Sequence, residues 1–187
     1  MSLSSYRRNV RRGVTGADKP TCYPSSLEKI SPRHKLSPET YIEYQRFIRR
    51  WETLQGHEKR QINPTYKKLI GQMAWELGEV EFDQVVFERA DTYRAFSSVV
   101  RTLLRHEYRV SVDIQVAGYG KDFSHPVGLI PVDDDGGLRV VSNWIPRDLH
   151  GVITLREIYE TVDHCNDPPR ILYPFNDANI TALPPAA

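Results

Sequence analysis

A chain of 187 residues that is 40% hydrophobic and 26% charged has the size and make-up of one globular domain with a modest extension. No apolar run approaches the roughly 18 to 20 residues of a membrane span, and the opening Met1-Ser2-Leu3-Ser4-Ser5-Tyr6-Arg7-Arg8 lacks the apolar core of a signal peptide, so a cytoplasmic setting is expected. The net charge of +1 hides a division: residues 1–70 hold fifteen Lys or Arg against six Asp or Glu, and residues 71–187 hold ten against eighteen. A chain so two-ended points to an anionic partner for the basic half, RNA or phospholipid, or to head-to-tail association of copies.

Residues 1–36 are predicted to be a flexible basic arm. Arg7, Arg8, Arg11 and Arg12 sit among Ser, Asn and Gly, ahead of Pro20, Pro24 and Pro32, with too little apolar surface to fold alone. Four guanidinium groups within six residues repel one another unless counter-charge arrives, so the cluster reads as an anion-binding element. Within the arm, Tyr23-Pro24-Ser25-Ser26-Leu27 resembles the YPxnL late-domain motif with which structural proteins of some enveloped viruses recruit a host budding adaptor. There a proline stiffens an exposed segment so that Tyr23 and Leu27 would dock as anchors.

Residues 37–187 are predicted to form a single α+β domain: helical over 37–78, sheet-containing over 79–175, and a tail over 176–187. Ser37-Pro38-Glu39 opens a helix with a cap, a first-turn proline and an acid for the dipole. Tyr41, Tyr44, Phe47, Ile48, Trp51 and Leu54 make its core stripe, leaving Arg46, Arg49 and Arg50 outside. Gly56 to Arg60 breaks the pattern, and Asn63-Pro64 starts a second helix with Tyr66, Leu69, Ile70, Met73 and Leu77 inward, Lys67 and Lys68 outward, and Gly78 as the stop. Arg46, Arg49, Arg50, Lys67 and Lys68 thereby join the candidate anion-binding residues.

The sheet begins with a β-rich run from Val80 to Arg89, disturbed near Gln84-Val85-Val86. Asp91 then caps a helix with Tyr93, Phe96, Val99, Val100, Leu103 and Leu104 on one face and Arg94, Arg101 and Arg105 outside. Tyr108 to Val116 alternates cleanly, as a half-buried strand does. Val127 to Val132 and Leu138 to Ile145 flank Asp133-Asp134-Asp135-Gly136-Gly137, which reads as a hairpin and its turn, not as a metal loop. Thr154-Leu155-Arg156-Glu157 is a capping box for a short helix, and Arg170 to Phe175 makes the last strand. The order β-α-β-β-β-α-β predicts a mainly antiparallel five-stranded sheet in split β-α-β order with helices on one face.

The residues carry no catalytic signature. Six histidines are scattered, no Ser or Cys stands in an elbow motif, and Asp163-His164-Cys165 sits at a helix end where an imidazolium is welcome without a task. Cys22 and Cys165 lack partners at metal-finger spacing, and the sequon Asn179-Ile180-Thr181 needs a secretory route that is not expected. A non-enzymatic protein without cofactors follows. RNA-recognition domains share the split plan, but they stack bases on aromatics in central strands, and Val110-Ser111-Val112-Asp113-Ile114 and Leu138-Arg139-Val140-Val141 offer none.

A basic arm, the YPSSL stretch and an α+β domain without catalytic residues together resemble a viral matrix protein, most closely the rhabdovirus type. Its strand running into an aromatic- and arginine-marked helix is similar in character to Phe87-Glu88-Arg89-Ala90-Asp91-Thr92-Tyr93-Arg94-Ala95-Phe96-Ser97-Ser98-Val99-Val100. The Pro-Pro-x-Tyr motif common in that family is absent, and arginines replace its lysine-rich tract. The resemblance implies peripheral binding to anionic inner-leaflet lipid, self-association into a layer, contact with a nucleocapsid and a place in the virion. Arg7, Arg8, Arg11 and Arg12 would face lipid, and Tyr23, Pro24 and Leu27 a budding adaptor. The other reading is an RNA-binding protein, such as a viral silencing suppressor, that uses the arginine-rich N-terminal half.

Overall fold

Alternation in the strand β2 (Arg109–Gln115) sets the architecture. Val110, Val112 and Ile114 point to one side and are fully buried, and Arg109, Ser111 and Asp113 point to the other. The computed structural model describes residues 22–31, 34–115, 124–132, 136–142, 149–161 and 179–185. Around β2 lie β1 (Val86–Glu88), β3 (Ser124–Pro131), β4 (Leu138–Val141), β5 (Val152–Ile153) and β6 (Ile180–Leu183), in the order β1-β6-β2-β3-β4-β5. Every neighbouring pair is antiparallel.

The α+β class and the antiparallel sheet are as expected, but the strand count and order differ. Among the described residues there are six strands, and β6 lies between β1 and β2, with Ala182 opposite both Val86 and Val110. Ile180–Leu183, within the stretch predicted as a tail, is instead a strand with all four residues buried. A strand covered on both faces has no alternation to betray it. The predicted strand over Arg170 to Phe175 lies outside the described residues. Asn179, just before β6, is itself buried and bonds both backbone groups of Ala90, so the sequon is closed to modification in this fold.

Helices cover both faces, not one. The helices α5 (Tyr93–Arg105) and α6 (Leu155–Thr161) bury Phe96, Val100, Leu155 and Ile158 against the Val110 face. On the Ser111 face lies α1 (Cys22–Lys29), so the arm predicted for residues 1–36 ends early. Ser26 Oγ meets Ser111 Oγ at 2.8 Å, and Ser111 Oγ donates to the Val127 carbonyl at 3.1 Å. A Cβ on Gly128 would come within 2.2 Å of Ile30 Cγ2, so α1 sits where the sheet has no side chain. Pro24 is tolerated because the amides of a first helical turn have no intrahelical partner to lose.

Leu27 and Ile30 continue into a second core with α2 (Pro38–Thr53) and α4 (Asn63–Glu76), which bury Tyr44, Phe47, Trp51, Tyr66, Ile70 and Met73. Ser37 caps α2 as predicted, accepting from Thr40 N at 3.2 Å. The stretch read as a break is a short helix, α3 (Gly56–Gln61). The cap of α4 is Ile62 without a side-chain bond, so Asn63 is not the cap the sequence indicated. The β-rich run from Val80 begins instead with a 3-10 turn over Phe82–Gln84, and the cap of α5 is Thr92, one residue past Asp91. Glu79, with φ 55°, carries the left-handed backbone expected of Gly78.

Gly78 serves a different need, the close approach of Arg109: a Cβ there would lie 2.8 Å from Nη2. The half-buried guanidinium donates twice to the Pro184 carbonyl, at 3.0 and 2.7 Å, and to Ser31 Oγ at 2.7 Å and the Leu77 carbonyl. Burial pushes its pKa down from the ordinary arginine value. Arg109→Met leaves these oxygens unmatched and is expected to lower stability by about 2 to 4 kcal/mol. Arg109→Lys should recover little of that, because an ammonium lacks the planar fork. Denaturant melts of both variants within about 0.5 kcal/mol of the parent would disprove the clamp. Gly128→Val is expected to cost at least 1 to 3 kcal/mol by displacing α1.

Candidate anion-binding surfaces

Once the apolar faces of α2 and α4 are spent on the core, their cations are left outside. Arg46, Arg49 and Arg50 on α2 and Lys67 and Lys68 on α4 are all exposed. With them stand two large apolar side chains that the core does not take, Ile42 (45% exposed) on α2 and Trp75 (54% exposed) on α4. Ile42, Arg46 and Arg49 share one helical row, and Lys68 and Trp75, seven residues apart, share another. Sequence reasoning placed the five cations but passed over Ile42 and Trp75. Their signal was the helical period itself, which sets both opposite the core stripe.

The two helices are held antiparallel by Glu76 at the end of α4. Its carboxylate accepts from Ser37 N at 2.8 Å, Ser37 Oγ at 3.1 Å, Gln72 Nε2 at 3.1 Å and the Thr40 hydroxyl, all at the start of α2 or one turn back on α4. At the other end Phe47 packs on Tyr66, with ring centroids 5.3 Å apart. Tyr41 ties the layer to α1 by donating to Glu28 Oε2 at 2.6 Å.

The other candidate residues fall differently. Arg7, Arg8, Arg11 and Arg12 lie outside the described residues. Tyr23, Pro24 and Leu27 are in α1 and buried, with Tyr23 stacked on Tyr44 at 6.2 Å. The exposed, proline-stiffened segment expected there is corrected to a packed helix whose anchors face inward.

A second basic surface lies on α5, where the sequence marked Arg94, Arg101 and Arg105 only as an outer face. Spacings of seven and four residues set the three on one row, about 16 Å from first Cα to last at 1.5 Å rise per residue. With Tyr93, Ser97, Ser98 and Thr102 they border a shallow, open depression on the outer surface of α5 itself. Among the described residues none of the three makes an ion pair. Arg156 of α6 lies over the Tyr93 ring, 4.1 Å from its centroid. Sharing Thr102 with the depression is a hollow of about 520 Å³ lined by Val86, Leu103, His106, Tyr108 and Pro185.

One Ser–His contact invites a catalytic reading. Ser142 Oγ is 3.0 Å from His125 Nε2, but the hydroxyl also points at the Pro126 carbonyl at 3.2 Å. With the serine proton given to Pro126, the imidazole donates to the serine, the reverse of a general base. His125 is completely buried, so the pair reads as a tie between β3 and the end of β4.

Among the described residues no His, Cys, Asp or Glu group is placed to hold a metal ion, and no helix is long and apolar enough to cross a membrane. Asp133, Asp134 and Asp135 lie outside them. No family model, curated protein or solved structure matches the chain. The class is that of an α+β protein on a single antiparallel sheet with two separate sets of exposed cations.

Glu76 generates a pH prediction. Burial pushes its carboxyl up, but bonds from Thr40, Ser37 and Gln72 outweigh this and hold it below the ordinary glutamate value. A depressed carboxyl stabilises the fold above the unfolded-state value, about 4.3, and loses that contribution as pH falls through the folded-state value. Glu76→Gln should therefore be less stable than the parent at neutral pH, with the gap closing below about pH 4. Urea melts from pH 3 to 7 check this, and a gap that does not change with pH contradicts it.

Proposed function

We propose that the protein is a non-enzymatic assembly protein of matrix type that lies on an anionic membrane surface through the outer faces of α2 and α4. The observation that carries this reading is the exposure of Trp75 and Ile42 among Arg46, Arg49, Arg50, Lys67 and Lys68. An indole and an aliphatic side chain projecting beside cations match the chemistry of a bilayer interface, where rings sit at headgroup level and each Lys or Arg adds about 1 kcal/mol on anionic lipid. Arg7, Arg8, Arg11 and Arg12 belong to the same basic half of the sequence. Self-association into a layer belongs to the reading, since the basic first 70 residues of one copy complement the acidic remainder of the next. A budding-adaptor contact through Tyr23 and Leu27 does not, because α1 buries both anchors.

Co-sedimentation with vesicles tests it. The chain is expected to pellet with phosphatidylserine-containing vesicles and to stay in solution with pure phosphatidylcholine. Lys67→Ala/Lys68→Ala should weaken binding by about 30-fold at low salt, and Trp75→Ala by about tenfold. Equal binding to neutral vesicles, or a Trp75→Ala variant that pellets like the parent, would sink the proposal.

A further inference from the structure

We infer that the outer face of α5 is a binding site for a single-stranded nucleic acid, with Arg94, Arg101 and Arg105 taking successive backbone phosphates and the adjoining hollow taking a base. This goes beyond the membrane reading and does not rest on it, since it uses a different helix, packed in a different core.

The argument starts from charge. Residues 71–187 carry eighteen acids against ten bases, yet none of the three arginines of this row engages one of them among the described residues. Three exposed guanidinium groups in line, without an ion pair among the described residues, leave an unmet demand for anions. Arginine meets phosphate with two parallel N–H bonds. Ser97, Ser98 and Thr102 add hydroxyl donors along the same face.

The shape then selects the anion. A row about 16 Å long on an open helix face suits an extended polymer of phosphates better than a compact polyphosphate. A lipid surface is disfavoured because, among the described residues, the exposed large apolar side chains are Ile42, Trp75, Val132 and Val152, none of them on α5. The hollow beside the row supplies the second half of single-strand recognition. It is walled by the apolar Val86, Leu103 and Pro185 and by the rings of His106 and Tyr108, of which His106 is exposed and Tyr108 half-buried. A planar base can stack on an exposed ring there while its phosphates stay on the arginines. Tyr93 does not compete for it, since one face of its ring holds Arg156 and Tyr159 meets it edge-on at 5.6 Å.

Such a site is blind to sequence and sensitive to salt. The expected Kd is in the micromolar range, about 1 to 100 µM. The test is fluorescence anisotropy of a labelled oligouridylate of about twenty nucleotides across a salt series. It is run on the full chain in a background with Arg7, Arg8, Arg11 and Arg12 changed to Ala, so that residues 1–36 do not mask the site. Arg94→Ala/Arg101→Ala/Arg105→Ala should bind at least about tenfold more weakly and flatten the slope of log K against log salt by about 2, at roughly 0.7 per lost contact. Replacement of all three by Lys should restore the slope, and His106→Ala should weaken binding several-fold without changing it. Oligoadenylate should bind within a few-fold of oligouridylate. Vesicle binding by the α5 variant should match the parent.

No binding by the background protein at low salt overturns the inference, as does a triple-alanine variant with unchanged slope. Loss of vesicle binding in the α5 variant with oligonucleotide binding intact also overturns it, in favour of a lipid headgroup. The arginines are exposed, so melting curves of the variants are expected to overlay the parent's.

Discussion

The contact on which the molecule depends is the half-buried guanidinium of Arg109. It stands on the sheet, yet its hydrogen bonds reach the end of α1 at Ser31, the end of α4 at Leu77 and the chain just past β6 at Pro184. Those segments are remote in sequence. Its counter-charge is not a carboxylate among the described residues but carbonyl oxygen, one of which, Leu77, closes a helix whose dipole places partial negative charge there. The arrangement relies on arginine, which remains protonated when burial lowers its pKa and which presents a fixed fork. It also relies on Gly78, since any side chain there would meet the guanidinium. The helical layer is thus fixed to the sheet by a polar joint, with the apolar cores on either side of it.

How far each element can be read from its residues follows from how it is buried. The helices α2, α4 and α5 and the strand β2 are half-buried, so their apolar residues recur at the helical or strand period. By contrast β6, buried on both faces and ended by Pro184-Pro185, has neither alternation nor length, and its place in mid-sheet is a tertiary fact. In α1 the polar Ser25 and Ser26 are buried, Ser26 against Ser111, a pairing that local composition cannot reveal and that made the segment look like part of an arm. The cations of both candidate surfaces were visible as outer faces. Which of them carry meaning depends on their company, Trp75 and Ile42 in one case and an open depression with a neighbouring hollow in the other.

The sum of +1 hides that the charge is arranged on a sheet with a helix on each face. On one side α1, α2 and α4 share a core with Leu183, and on the other α5 and α6 share one with Val110 and Ile158. Cations on α2 and α4 and cations on α5 therefore belong to separately packed units joined through the sheet. At physiological salt, charges more than about 8 Å apart in solvent are largely screened. The α5 arginines thus act locally, and the two basic surfaces need not compete for one partner.

The docking of α1 places a limit on any role for Tyr23 and Leu27 as recognition anchors. Releasing them exposes Tyr23, Leu27 and Ile30, each worth about 1.5 to 3 kcal/mol of burial, and breaks the Ser26–Ser111 pair. Even at the lower bound the cost is about 5 kcal/mol, which leaves about one molecule in a thousand or fewer with α1 undocked. A partner that recognised the extended segment would lose that same energy from its affinity, a penalty of more than a thousandfold. The tight fit of Ile30 over Gly128 makes the penalty a property of the sheet as much as of the helix. In this chain, the Tyr-Pro-Ser-Ser-Leu stretch is accounted for by what it packs against.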